Sequence, residues 1–381
     1  MRVHVIDPSA YTPPYDHALC RALARAGATV ELYTSRFTYG AAPPPEGYER
    51  HEHFYRISHA AASRRENASG GARPKAIAAL KLAEHVPDML RYRRIAREAD
   101  VAHFQWLPVQ PLDVHLLPRR GARTCLVLTA HDILPREPRP GQRAAQRALY
   151  ERFEAIVVHS EHGRSRLTGE LGVDPSRVHV IPHGALTLPH ASSALLPEEF
   201  RDVRGPVVLF FGLLRPYKGL DVLLEAWRSV DEGELWIVGM ARMDTSALHR
   251  AAPARVRFLE RFVSETELAA FLGRASLAVL PYREIDASGA AFTAIGSGLP
   301  LLLSDAGGFP EIAASAGAKV VPAGDPHALA SALRELLGDP HALAQMAASS
   351  RAATAGAYAW DTIARETLAL YERLLRENAP R

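Results

Sequence analysis

Phe210-Phe211-Gly212-Leu213-Leu214-Arg215-Pro216-Tyr217-Lys218-Gly219-Leu220-Asp221 runs an apolar strand through a short basic loop into the first turn of a helix. Gly212 permits a tight turn after the strand, and the helix opens near Gly219. Arg215 and Lys218 stand three apart between a strand end and a helix N-terminus. Arg clamps phosphate oxygens in pairs, Lys supplies a compact charge, and a helix start attracts anions. The stretch therefore predicts a βα unit with a diphosphate-binding loop, Gly212, Arg215 and Lys218 being its ligands. A basic surface loop is the plainer alternative.

Outward from this stretch the chain alternates strands and helices, the signature of parallel sheets covered by helices. Downstream strands are expected at 207–211, 234–238, 257–259, 277–280, 301–304 and 319–321. Upstream ones are expected at 2–7, 29–34, 101–104, 124–129, 155–159 and 178–181. Residues 182–206, rich in Pro, Ala and Ser, lack a period and separate the two series. We expect an α/β protein of two doubly wound, Rossmann-like parallel-sheet domains facing a cleft. The first is 1–190, joined by an amphipathic helix at 360–381. A linker at 191–205 precedes the second, 206–358. Residues 39–72 read as an irregular excursion of the first domain.

A second anion site is expected in the second domain. Ser288 suits a helix cap and Gly289 opens the backbone to a ligand. Gly296-Ser297-Gly298-Leu299-Pro300 and Ser304-Asp305-Ala306-Gly307-Gly308 follow. In the first domain, His131 and Asp132 stand at a strand's carboxyl end, where open α/β sheets bind ligands. Tyr15, Asp16 and Trp106 are candidates for the acceptor side, whereas His103 and His159 read as core supports.

These residues carry a resemblance. From Val207 to about Ile312 the sequence resembles the C-terminal domain of retaining glycosyltransferases of family 4, which have the GT-B fold. FFGLLRPYKGLDVLLEAW, ELWIVG, RVRFLERFVSETELAAFL and GSGLPLLLSDAGGFPE match in order and spacing. YDHALCRALARAGATVELYT, VAHFQW, LVLTAHD, AIVVHSEHGRSRL and VIPHG are similar to first-domain segments, and AWDTIARETLALYERLL to the closing segment. The resemblance implies transfer of a sugar from a nucleotide-diphosphate donor to a hydroxyl, with retained configuration and without a metal. It implies that Arg215 and Lys218 neutralise the leaving diphosphate and that His131 touches the donor. It also implies nucleobase contacts from backbone near Val263.

Two departures stand out. Two family glutamates, eight apart, fall here on Ile285 and Thr293. Asp286 and Glu284 flank the first, and Thr293 retains only a hydroxyl. The first loop, 11–17, carries Pro13 and Pro14 where the family has a Gly-Gly pair. A catalytically silent nucleotide-binding partner and a natural-product glycosyltransferase are the alternatives to polysaccharide or glycolipid synthesis.

Composition bounds the rest. The 381 residues are 48% hydrophobic and 23% charged, with two cysteines, which excludes a disulfide framework. No apolar run is long enough to span a bilayer, and the N-terminus lacks signal-peptide features, so a cytoplasmic protein is expected. Residues 1–190 hold 26 Lys/Arg against 19 Asp/Glu, and 191–381 hold 19 against 23. The basic front half, especially 72–97, suits peripheral contact with an anionic membrane face. A solvated helix is the plainer reading of that segment. No nucleic-acid motif is present. The expected partners are the nucleotide-sugar donor, with UDP or GDP as typical bases, and a saccharide, lipid-linked or small-molecule acceptor. No cofactor is expected.

Overall fold

The computed structural model describes residues 1–66, 74–119, 123–134 and 141–378. It divides into two compact units, Met1–Pro182 with Trp360–Arg381, and His183–Ala359.

The first unit holds a seven-stranded parallel sheet. Its strands are β1 (Arg2–Asp7), β2 (Thr29–Ser35), β3 (Glu49–Phe54), β4 (Val101–Phe104), β5 (Cys125–Thr129), β6 (Ala155–Val158) and β7 (Val178–Val180). They lie in the order β3-β2-β1-β4-β5-β6-β7. The second unit has six parallel strands. These are β8 (Val207–Phe211), β9 (Glu234–Val238), β10 (Val256–Leu259), β11 (Leu277–Leu280), β12 (Leu301–Ser304) and β13 (Lys319–Val321), in the order β10-β9-β8-β11-β12-β13. Central strands such as VVLFF of β8 and AIVV of β6 are buried along their whole length. Helices cover both faces of such a sheet, so these strands read as unbroken apolar runs. In each unit the strand order reverses beside the first strand, between β1 and β4 and between β8 and β11. That reversal opens a crevice at the carboxyl ends, where ligands bind.

Pro13 and Pro14 lie in a helix and not in a loop. They open the helix Pro13–Arg25, the positions where a missing N–H costs nothing. Its Tyr15, Leu19, Ala22 and Leu23 are buried at helical spacing. They meet Ile363, Ala364, Leu370, Tyr371 and Leu374 of the last helix, Trp360–Glu377, in one core.

The excursion at 39–72 is more regular than expected. It contains β3 and the helix Arg56–Glu66. Strand β3, ERHEHF, gives no apolar alternation because it is an edge strand that only β2 pairs. Between 182 and 206, Leu196 and Phe200 are buried in the second unit's core. Of the basic stretch 72–97, residues 72 and 73 lie outside the described residues. The remainder forms the helix Pro74–Ile95, which buries Met89 and Tyr92 and exposes Leu80, Leu82 and Leu90. Among the described residues no helix is long and apolar enough to cross a membrane.

Candidate active site

In the second unit the loops after the neighbouring strands β8 and β11 interlock. Lys218 is 8% exposed although it carries a charge. Its Nζ donates to the Tyr282 hydroxyl at 2.9 Å and lies 4.6 Å from the centre of the same ring. Gly212, at φ +112°, lies beneath it, where a Cβ would come 3.3 Å from Nζ. Arg283 ties the loops further. Its backbone N–H donates to the Tyr217 carbonyl at 2.8 Å, and its guanidinium grips both oxygens of Asp221 at 2.8 and 2.5 Å. This pairing holds the Asp221 carboxyl below its ordinary range. Arg215, by contrast, is exposed and precedes the single 3-10 turn Pro216–Lys218. The loop thus carries one fixed cation and one solvent-facing cation.

Ser288 caps the helix Gly289–Gly296, its Oγ accepting from the Ala291 N–H at 3.3 Å. Gly289 has open space where a side chain would be. The Thr293 hydroxyl donates to the Gly289 carbonyl at 2.8 Å, which leaves its lone pairs for a ligand. Ile285 is packed in the apolar core, Asp286 is buried beside it, and Glu284 is exposed. Val263 is partly buried against the core, one residue before the Ser264 cap of the helix Glu265–Arg274. His183 stacks on Phe292 with centres 4.4 Å apart.

In the first unit an open pocket of about 160 Å³ is lined by Gln105, Trp106, Thr129, His131, Asp132 and Gln146. All but Gln146 stand at or just past the ends of β4 and β5. Trp106 stacks on His131 at 5.0 Å and 13°, and its Nε1 donates to the Thr12 hydroxyl at 3.0 Å. Tyr15 sets its edge against His131 at 4.8 Å, and Asp132 is exposed. Tyr15 and Asp16 are themselves 4% and 1% exposed, so they act from behind the pocket. Burial and the neighbouring Asp7 raise the Asp16 carboxyl well above its ordinary range. Asp7 accepts from the backbone N–H groups of Ser9, Tyr11 and Thr12. Asp16 is therefore the member of the pair that holds a proton.

A chain of hydrogen bonds fixes His131. His159 Nδ1 donates to the Ile181 carbonyl at 3.0 Å, so in a neutral ring its Nε2 is an acceptor. That nitrogen lies 3.1 Å from His131 Nδ1, which must then carry hydrogen. Burial pushes His159 down to about 4, keeping it neutral. On the other side, His131 Nε2 faces Gln105 Oε1 at 3.1 Å, while Gln105 Nε2 has no hydrogen-bond partner. A protonated Nε2 donates to this oxygen. A half-turn of the amide instead gives a bare Nε2 an N–H partner.

His159, Tyr282 and Arg283 are the supports that sequence reasoning missed or assigned to plain packing. His159 is part of the His131 chain, and His103 sits in the core between the Tyr371 and Thr129 hydroxyls at 2.5 and 2.7 Å. The only available signal was position, since all follow or end parallel strands.

These buried imidazoles predict an acid limb. Burial pushes His103 down to about 3 and His159 to about 4. An unfolded imidazole titrates near 6.5. Their contribution is complete above that pH and is lost as pH falls toward 3–4, because only the unfolded chain takes up the protons. Asp7 and Asp16, raised in the fold, work in the opposite direction. The urea midpoint is expected to drop between pH 7 and 5. Each histidine adds up to about 1.4 kcal/mol per pH unit. His103→Gln should flatten that slope, and an unchanged slope would remove His103 from the account.

The comparisons with known proteins follow the same division. The family described as Glycosyltransferase Family 4 matches residues 15–185, and that described as Glycosyl transferases group 1 matches 205–339. The chain belongs to the family 4 glycosyltransferases. It is 27% identical to a D-inositol 3-phosphate glycosyltransferase of Xylanimonas cellulosilytica, over 95% of this chain and 91% of that one. It is 26% identical to an MMP alpha-(1->4)-mannosyltransferase of Mycolicibacterium hassiacum, over 60% of this chain and 56% of the relative. Among solved structures, Anabaena HepE in complex with UDP superposes with a TM-score of 0.68 at 16% identity, covering 98% and 100% of the two chains. The two parallel-sheet units are those of the GT-B fold that this glycosyltransferase shares with such neighbours.

Proposed function

We propose that this glycosyltransferase moves a sugar from a nucleotide-diphosphate donor to a hydroxyl acceptor, with retained configuration and without a metal, in glycolipid or polysaccharide synthesis. The observation that carries the reading is the interlock of the loops after β8 and β11. It sets buried Lys218 beside Tyr282 and makes one surface of the basic loop and the segment leading to the Ser288–Gly289 helix start. Charge grows on the β-phosphate as the C–O bond breaks, and donors already in place stabilise it without reorganising. Lys218 and Arg215 supply the cations, and the open helix start supplies N–H groups. The departing phosphate can then take the acceptor proton, so no enzymic nucleophile is required. For the first unit we assign His131 a donor-contact role and Trp106 and Asp132 the acceptor side, on the family resemblance. The inositol phosphate and mannosyl names of the relatives, and the UDP bound to HepE, support a nucleotide-sugar donor. A lipid-linked acceptor would bring its membrane near the helix Pro74–Ile95, whose exposed Leu80, Leu82 and Leu90 stand among Arg91 and Arg94.

A thermal-shift panel of UDP, GDP, ADP and TDP and their sugars tests the reading. One nucleotide should raise the melting temperature of wild type and not of Lys218→Ala. No shift by any of them would sink the donor site. The apolar burial of Ile285 favours a second reading, a silent nucleotide-binding partner. Slow donor hydrolysis without acceptor would exclude it.

A further inference from the structure

We infer that the first unit carries a site for a divalent transition-metal ion of the zinc class on its β1–β2–β3 edge, built from Glu31, Glu49 and His51, with buried His4 behind Glu31. The sheet register makes the row. His4 pairs with Glu31, Glu31 with Glu49, and Tyr33 with His51, all across parallel strands. Residues two apart share a face, so four ligand-type side chains project from one patch of three adjacent strands.

Their spacing is that of a ligand set. One ligand atom from each of Glu31, Glu49 and His51 lies within 4.8 Å of the other two. His51 Nε2 is 3.1 Å from Glu31 Oε2 and 3.7 Å from Glu49 Oε2. Tetrahedral zinc with bonds of about 2.0–2.1 Å separates its ligand atoms by about 3.4 Å, between those values. The mixture of imidazole and carboxylate suits zinc better than magnesium or calcium, which prefer all-oxygen shells.

His4 supplies an independent indication. It is fully buried, its Nε2 points at Glu31 Oε1 from 3.7 Å, and that nitrogen has no hydrogen-bond partner. The other ring nitrogen has the Tyr92 hydroxyl at 3.5 Å. A buried ring nitrogen without a hydrogen-bond partner thus stands behind Glu31. Outer contacts orient the set as metal sites require. The Tyr33 hydroxyl donates to Glu31 Oε2 at 2.8 Å, and the Tyr33 ring stacks on His51 at 4.7 Å. Glu49 and His51 are open to solvent, which provides the entry path. Arg2 also approaches Glu31, at 3.7 Å, on a half-exposed side chain that can swing aside. His4, Glu31 and Glu49 lie toward the amino ends of their strands, away from the carboxyl-end pocket. The ion would therefore pin the polar edge strand β3 rather than take part in transfer.

The test uses the full chain, stripped with chelator and titrated with Zn²⁺ against a chromophoric competitor, then with Co²⁺ alone. We expect uptake of one equivalent and visible Co²⁺ absorption of four-coordinate intensity. Glu49→Gln, an exposed change that leaves the metal-free melting temperature in place, and His51→Ala, at a partly buried position, should each weaken that uptake about tenfold or more. Absence of uptake, or uptake undiminished in both variants, would overturn the site and leave an ion-pair cluster centred on Glu31.

Discussion

Lys218→Ala is expected to lower kcat/KM for the sugar donor by about 100- to 1,000-fold, the size of effect seen when one preorganised donor to a developing negative charge is removed. Lys218 is held by the Tyr282 hydroxyl at 2.9 Å and roofed by the Tyr282 ring. Its charge is therefore in place before the donor arrives and in a site from which water is largely excluded. Removing it leaves Tyr282 without its donor and leaves exposed Arg215 to meet the diphosphate through solvent. Lys218→Arg should not rescue activity, because a planar guanidinium does not reproduce a compact charge seated on the Tyr282 hydroxyl and ring. The measurement is steady-state release of nucleotide at saturating acceptor. A loss under tenfold would mean that Arg215 and the helix start carry the charge without it.

Gly219→Ala should be the most damaging single-methyl change in this loop. Gly219 sits at φ +68°, and a Cβ there would lie 2.1 Å from the Pro281 carbonyl oxygen. The left-handed backbone costs an L-residue about 1–2 kcal/mol. The overlap adds about 1–3 kcal/mol, because a backbone carbonyl cannot swing away as a side chain can. A fall in melting temperature of about 5–10 °C follows. Donor KM should rise too, since relief of the clash parts the two loops that hold Lys218. Gly289→Ala is the matched control. Open space surrounds that position, so stability should hold while donor affinity falls. Equal melting temperatures for Gly219→Ala and wild type would refute the interlock.

Much of the fold was readable because parallel sheets are buried on both faces. VVLFF, LAVL and LLLS announce themselves as strands whatever packs around them, and the last helix repeats its apolar residues at helical spacing. Strand β3 was not readable for the same physical reason inverted. ERHEHF lies at an edge, meets β2 through polar and ring contacts of His51 besides the backbone, and apart from Phe54 needs no apolar face. The candidate site divides in a similar way. Lys218 and Arg215 stand in a local motif, so a linear reading reaches them. Nothing local reveals that Lys218 is buried, for its burial comes from Tyr282, 64 positions away. His131, His159 and Gln105 are separated by 26 to 28 positions and meet because β4, β5 and β6 are sheet neighbours. The proline pair at 13–14 misled because proline signals both loop and helix start, and only the path of the chain decides between them.

The final helix has a consequence for synthesis. Leu370, Tyr371 and Leu374 complete a core whose other members include Val3, Val5 and Leu19, which are translated long before them. The whole second unit is translated in the interval. That unit can close on its own contiguous chain, whereas the first unit must wait, with the apolar face of the helix Pro13–Arg25 uncovered, until the last turns emerge. The helix Pro13–Arg25 is thus shielded from water only after the second unit has been made.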